Sequence, residues 1–138
     1  MRLMLDTCAV FDLLTDVDGI SKAALDIMGD PQNILFASCE TMRELVVLFN
    51  HKKISSKRFK TAEDVLREVE ERLEIEFLPI RRDVGYTYSR LQLNEAMDHR
   101  DPSDHIIIAH AITERLTLLS SDQKFAFYRS QGLDLIEY

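Results

Sequence analysis

Five short apolar runs alternate with helical stretches along this chain, and no other feature restricts its possible folds as much. The runs are Arg2–Leu5, Ile34–Ala37, Ile75–Ile80, Leu116–Ser120 and Asp134–Ile136. Runs of this length, bounded by polar turns, read as buried strands. Strands separated by helices pair in parallel through right-handed crossovers. The expected fold is therefore α/β, a three-layer α/β/α sandwich with a parallel sheet of about five strands.

The intervening stretches carry helical spacing. Val10, Phe11, Leu13 and Leu14 place a helix over Thr7–Leu14, and Ser21 caps a second that stops at Gly29. Met42, Leu45, Val46 and Phe49 define a third, and helical residues dominate from Ser55 to Leu73 with a break near Thr61. A long helix is predicted over Asp83–Met97, another from Asp101-Pro102 through Ile112, and a last one over Asp122–Ser130. At 138 residues with one compositional regime, residues 1–138 read as a single domain.

No apolar run approaches the ~20 residues of a membrane span, and the N-terminus meets an acid at Asp6, too early for a signal peptide. A cytoplasmic protein is the expectation. Cys8 and Cys39 form no Cys-x-x-Cys pair, and His51, His99, His105 and His110 lack a zinc-site spacing, so zinc is disfavoured. A net charge of -7 argues against a protein that coats nucleic acid, but not against a nucleic-acid enzyme. The charge is also segregated. Lys52, Lys53, Lys57, Arg58 and Lys60 share an acid-free segment, whereas Glu63–Glu76 holds seven acids against two arginines.

Five acids, Asp6, Glu44, Asp101, Asp104 and Asp122, fall where strands or loops pass into helices. In a parallel sheet the strand C-termini share one edge, so acids distant in sequence can converge in the crevice outside it. Each has a structural role to set beside this. Asp6, Asp101 and Asp122 suit helix N-caps, Ser120 and Gln123 could form an alternative box near Asp122, and Thr41-Met42-Arg43-Glu44 spells a capping box. Their joint recurrence exceeds what capping requires. Gathered carboxylates repel unless protonated or bridged by a cation, and a hard oxygen-liganded ion, Mg2+ or Mn2+, suits them. Such an ion lowers the pKa of water for in-line attack on a phosphodiester. Arg100, His99 and the Lys52–Lys60 strip are then candidates to meet the phosphates of such a substrate.

These residues also carry a resemblance. Met1–Thr7, the Thr41–Leu45 segment with Glu44, His99-Arg100-Asp101-Pro102-Ser103-Asp104 running into Ile106–Ala111, and Leu118-Leu119-Ser120-Ser121-Asp122 together resemble a PIN domain, more narrowly a VapC-type toxin of a toxin–antitoxin pair. The resemblance spans the chain, and its Asp-Pro-x-Asp segment is the most specific piece. It implies a metal-dependent endoribonuclease in which Asp6, Glu44, Asp104 and Asp122 hold one or two Mg2+ or Mn2+ ions. Asp101 matches an auxiliary acid, and Ser120 a small hydroxyl residue two before the last acid. It also implies an RNA substrate, a small antitoxin partner and homodimerisation. Ser103 and His105 stand where the family often has an aromatic and an arginine, and Cys8 where related chains often carry histidine.

Two further readings share the same residues. A receiver-like phosphoacceptor domain also binds Mg2+ at strand ends but expects an acidic pair after the first strand, where this chain has Asp6-Thr7-Cys8. A non-catalytic interaction domain would use the acids only as caps.

Overall fold

The computed structural model describes residues 1–138. Five strands, β1 (Arg2–Leu5), β2 (Ile34–Ser38), β3 (Ile75–Leu78), β4 (Thr117–Ser120) and β5 (Asp134–Glu137), form one sheet in the order β3-β2-β1-β4-β5. Every pairing is parallel. Six α-helices cover it: α1 (Thr7–Thr15), α2 (Lys22–Gly29), α3 (Cys39–Asn50), α4 (Ala62–Glu71), α5 (Arg82–Arg90) and α6 (Pro102–Glu114). The expected α/β/α sandwich is observed. None of the helices is long and apolar enough to cross a membrane.

Side-chain alternation along the central strand builds both halves of the core. Leu3 and Leu5 point to one face of β1 and Met4 to the other, and all three are fully buried. The first face packs 17 buried residues, among them Val10, Ala24, Leu45 and Val65 from α1 to α4. The second packs 11, among them Ile107, Ile108 and Ala111 of α6 with Phe125 and Tyr128. A strand covered on both faces needs apolar residues at every position, which is why β1 reads as a continuous run.

Several boundaries differ from the sequence expectation. The helix expected over Asp83–Met97 ends at Arg90. Beyond it, buried Asn94 donates through its backbone N–H to Tyr128 Oη at 3.1 Å and through Nδ2 to the Lys124 carbonyl at 3.1 Å, while its Oδ1 accepts from Met97 N. These tertiary bonds outweigh local helical preference, leaving a single 3-10 turn at Glu95–Met97. The expected helix from Ser55 begins only at Ala62, where Thr61 and Asp64 make a reciprocal capping box. Residues 51–61 form turns pinned by buried Ile54 and Phe59. The last helix is 3-10, over Gln123–Gln131.

Two local motifs also differ. α3 begins at Cys39 under a Ser38 cap, so Thr41 lies inside the helix and Glu44 closes no capping box. The box anticipated from Ser120 to Gln123 is likewise absent: Ser120 Oγ accepts from the N–H of Asp122, and Asp122 itself is the cap.

Candidate active site

The C-terminal edge of the sheet places the candidate acids. Asp6 follows β1 and caps α1, its Oδ1 accepting from Ala9 N at 2.8 Å. Asp101 caps α6 by accepting from Ser103 N at 3.0 Å, with Pro102 in the first turn and Asp104 close behind. Asp122 follows β4 and caps the 3-10 segment through Lys124 N at 2.9 Å. Glu44 approaches from the second turn of α3. All five line one pocket of about 390 Å3, with Thr7, Cys8 and Lys124 among its walls. Capping and convergence are therefore not alternatives: three of these acids cap helices whose N-terminal ends lie around one pocket.

A hydrogen-bond scaffold behind the carboxylates holds them. Ser120 Oγ, fully buried, donates to Asp6 Oδ2 at 2.5 Å, so both oxygens of Asp6 have partners. Thr7 Oγ1 donates to Glu44, and Thr41, whose Oγ1 lies 2.9 Å from that of Thr7, donates to Thr7 in turn, since the single Thr7 proton is already used. Behind Asp104, His99 Nε2 lies 3.0 Å from Oδ2, and His99 Nδ1 lies 3.0 Å from Tyr128 Oη. An ionised Asp104 can only accept. Nε2 of His99 therefore carries a proton and donates to it, while Nδ1 shares a hydrogen bond with the Tyr128 hydroxyl. Tyr128 Oη in turn accepts from Asn94 N.

Two expected roles change in this light. His99 is only 3% exposed and both of its ring nitrogens are engaged, so it does not meet RNA phosphates; it orients Asp104. Ser120 is enclosed rather than facing a substrate, and it orients Asp6. Arg100 does lie at the surface, in an ion pair with Asp98 at 2.5 Å. Sequence reading missed Lys124, Thr7, Tyr128 and Asn94. Only Lys124 left a signal, a lone cation two residues after the last acid.

The pocket is electrostatically unfavourable as it stands. Burial first, then the charges of Asp104 and Asp122, push the Asp6 carboxyl up to about 7 against the Ser120 and Ala9 bonds that lower it. Asp104 is pushed up to about 6 by burial and then by Asp101 and Asp122, against the lowering contribution of His99. The Cys8 thiol is pushed up to about 12 by desolvation and by Asp6, Asp104, Asp12 and Glu44, so it stays protonated and offers no thiolate. A divalent cation relieves this repulsion, and the donors are hard oxygens, which suit Mg2+ or Mn2+ better than zinc. Ligand atoms of Asp104, Asp122 and His99 lie within 4.8 Å of one another. Asp6 and Glu44 border the same pocket outside that group, each hydrogen-bonded. With Nε2 protonated, His99 supports the site without being a ligand.

This parallel sheet with its edge pocket of carboxylates is the architecture of a nuclease family. The PIN domain model matches residues 3–130, and the chain belongs to the PIN domain family, which generally uses divalent metals. No curated protein sequence matches the chain. Among solved structures it is similar to VapBC2 from Rickettsia felis bound to a promoter DNA fragment, at TM-score 0.72 and 21% identity over 99% of this chain and 98% of that one. It is also similar to VapBC-1 from nontypeable Haemophilus influenzae, at TM-score 0.69 and 20% identity over 99% and 98%. A third is FitAcB from Neisseria gonorrhoeae, at TM-score 0.66 and 19% identity over 98% and 96%. At these identities the likeness establishes a common fold. The order β3-β2-β1-β4-β5 also differs from the 2-1-3-4-5 order of receiver domains, which removes the phosphoacceptor reading.

Proposed function

We propose that this chain is a VapC-type toxin, an endoribonuclease that hydrolyses RNA phosphodiester bonds with Mg2+ or Mn2+. The observation that carries this reading is the convergence of Asp6, Glu44, Asp101, Asp104 and Asp122 on one pocket at the sheet edge. Asp6, Glu44, Asp104 and Asp122 are the residues to hold one or two ions, with Asp101 at the rim orienting water. When bound, such an ion lowers the pKa of water and stabilises the leaving oxygen of a phosphodiester. The chain's own residues supply placement. Ser120 fixes Asp6, the Tyr128–His99 pair fixes Asp104, and Thr7 fixes Glu44. Lys124 brings an ammonium to the acidic wall, where it can bind a phosphate oxygen. No histidine is among the residues that line the pocket, and both nitrogens of His99 behind it are committed, so a histidine general base is not part of the reading.

The same reading gives the protein a small antitoxin, by likeness to neighbours described as a toxin–antitoxin complex and as a member of a family of toxin–antitoxin systems, and we extend it to homodimerisation and a cytoplasmic site of action. An acidic pocket that accepts cations also accepts an inserted arginine, a physical route to inhibition. The test is cleavage of RNA by the purified protein in Mn2+ and in EDTA, alongside Asp6→Asn and Asp104→Asn. Cleavage in Mn2+ alone, reduced in both variants to the EDTA level with the fold retained, is expected. Full activity in either variant rejects the assignment.

A further inference from the structure

We infer that the turns following α3 form a docking cleft for the RNA backbone, outside the carboxylate pocket and fed by the same helix. The inference rests on the ribonuclease reading and specifies where the substrate strand runs. The cleft measures about 710 Å3 and is lined by Lys52, Lys53, Lys57 and Lys60 with half-buried Phe49. Seven of the 17 Lys and Arg residues stand in ion pairs, but none of these four lysines does. Arg58, in the same segment, is by contrast committed to the fold. It pairs with Glu68, donates to the Leu14 carbonyl at 3.1 Å and lies over the Phe59 ring. Buried Ile54 and Phe59 anchor the turns, so the lysines project from a fixed base.

Position connects this cleft to the chemistry. Glu44 and Leu48 of α3 line the carboxylate pocket, and Phe49 and Asn50 line the lysine cleft. At ~1.5 Å rise per residue, Glu44 and Asn50 are ~9 Å apart along the axis, a span that one continuous nucleic-acid strand bridges within a few nucleotides. A chain with net charge -7 repels RNA as a whole, so binding requires a local basic tract beside the site. Unpaired lysines next to an aromatic edge suit a single strand, with phosphates on the ammonium groups and a base against Phe49.

The experiment is fluorescence anisotropy in EDTA, which prevents cleavage, using the full chain. The probes are a fluorescein-labelled 12-nucleotide single-stranded RNA and a labelled trinucleotide, each at two salt concentrations. The quadruple variant Lys52→Gln/Lys53→Gln/Lys57→Gln/Lys60→Gln is expected to bind the 12-mer about tenfold more weakly. Its log–log salt slope is expected to fall by ~3, at ~0.7 per phosphate contact on a single strand. The trinucleotide, too short to engage all four lysines, should bind more weakly and lose less in the variant than the 12-mer does, and Lys57→Gln alone gives a smaller loss should the quadruple variant unfold. Equal affinity and slope for the 12-mer, no measurable 12-mer binding by the wild type, or equal displacement by poly-glutamate overturns the RNA cleft. Cleavage in Mn2+, scored separately on the wild type, judges the nuclease reading without altering these binding outcomes.

Discussion

Replacing Asp6 by asparagine is predicted to stabilise the metal-free protein at alkaline pH while destroying its response to metal. Asp6 is 3% exposed, and its carboxyl is pushed up to about 7 from 3.8, chiefly by burial. A raised folded-state pKa favours the protonated form. Its contribution is complete below the unfolded pKa near 3.8, declines as pH rises, and is lost above about 7. Three units at ~1.4 kcal/mol each put the cost of the ionised group at pH 8 at ~4 kcal/mol. Asparagine removes the charge and keeps an oxygen for Ala9 N, but its amide then faces Ser120 Oγ, whose proton must find another acceptor, at ~1 kcal/mol. The net gain is ~3 kcal/mol at pH 8 in EDTA and falls below ~1 kcal/mol at pH 5, where the linkage cost is only ~1.6 kcal/mol. Urea unfolding of both proteins at the two pH values measures it. The variant should also gain nothing from saturating Mn2+, where the wild type gains ~3 kcal/mol at a hundredfold excess over Kd. A variant less stable than wild type at pH 8 in EDTA refutes the argument that Asp6 is held charged against its environment.

Other perturbations follow from the supporting bonds. Tyr128→Phe removes the hydroxyl that orders His99 and strands the Asn94 N–H, so it should cost ~1–3 kcal/mol in urea unfolding and weaken Mn2+ binding by ~10-fold; unchanged Mn2+ affinity contradicts the orienting role of His99. Ser120→Ala deletes a bond that lowers the Asp6 pKa, so stability between pH 5 and 8 should fall more steeply than in wild type, by ~1 kcal/mol at pH 8. Lys124→Gln should leave Mn2+ binding intact, or tighten it, while slowing RNA cleavage; unaltered kinetics removes Lys124 from phosphate contact.

Much of the fold could be read from the chain because a doubly covered sheet requires continuous apolar strands, and Leu3–Leu5 and Leu118–Leu119 meet that demand plainly. Asp6, Glu44 and Asp122 were legible for a related reason, since strand-to-helix junctions lie at one sheet edge whatever the intervening sequence, whereas Asp101 and Asp104 were legible from the Asp-Pro start of α6, which follows a loop. What lies behind them was not. Ser120 reaches Asp6 across 114 positions and Tyr128 reaches His99 across 29, and neither pairing leaves a local pattern. His99 looks like a phosphate ligand beside Arg100, and only its burial against Tyr128 and Asp104 shows otherwise. The premature end of α5 has the same origin, since Asn94 is ordinary in a helix until its partners from residues 124 and 128 are known.

Calorimetric titration of the purified chain with Mn2+ at pH 7.5, beside Asp104→Asn, tests most directly whether the carboxylate pocket is a metal site. Saturable binding by the wild type, with release of a fraction of a proton from Asp6, whose carboxyl is pushed up to about 7, and loss of affinity in the variant, is the predicted result. No binding by the wild type, or equal binding by Asp104→Asn, would show that these acids converge only to cap helices.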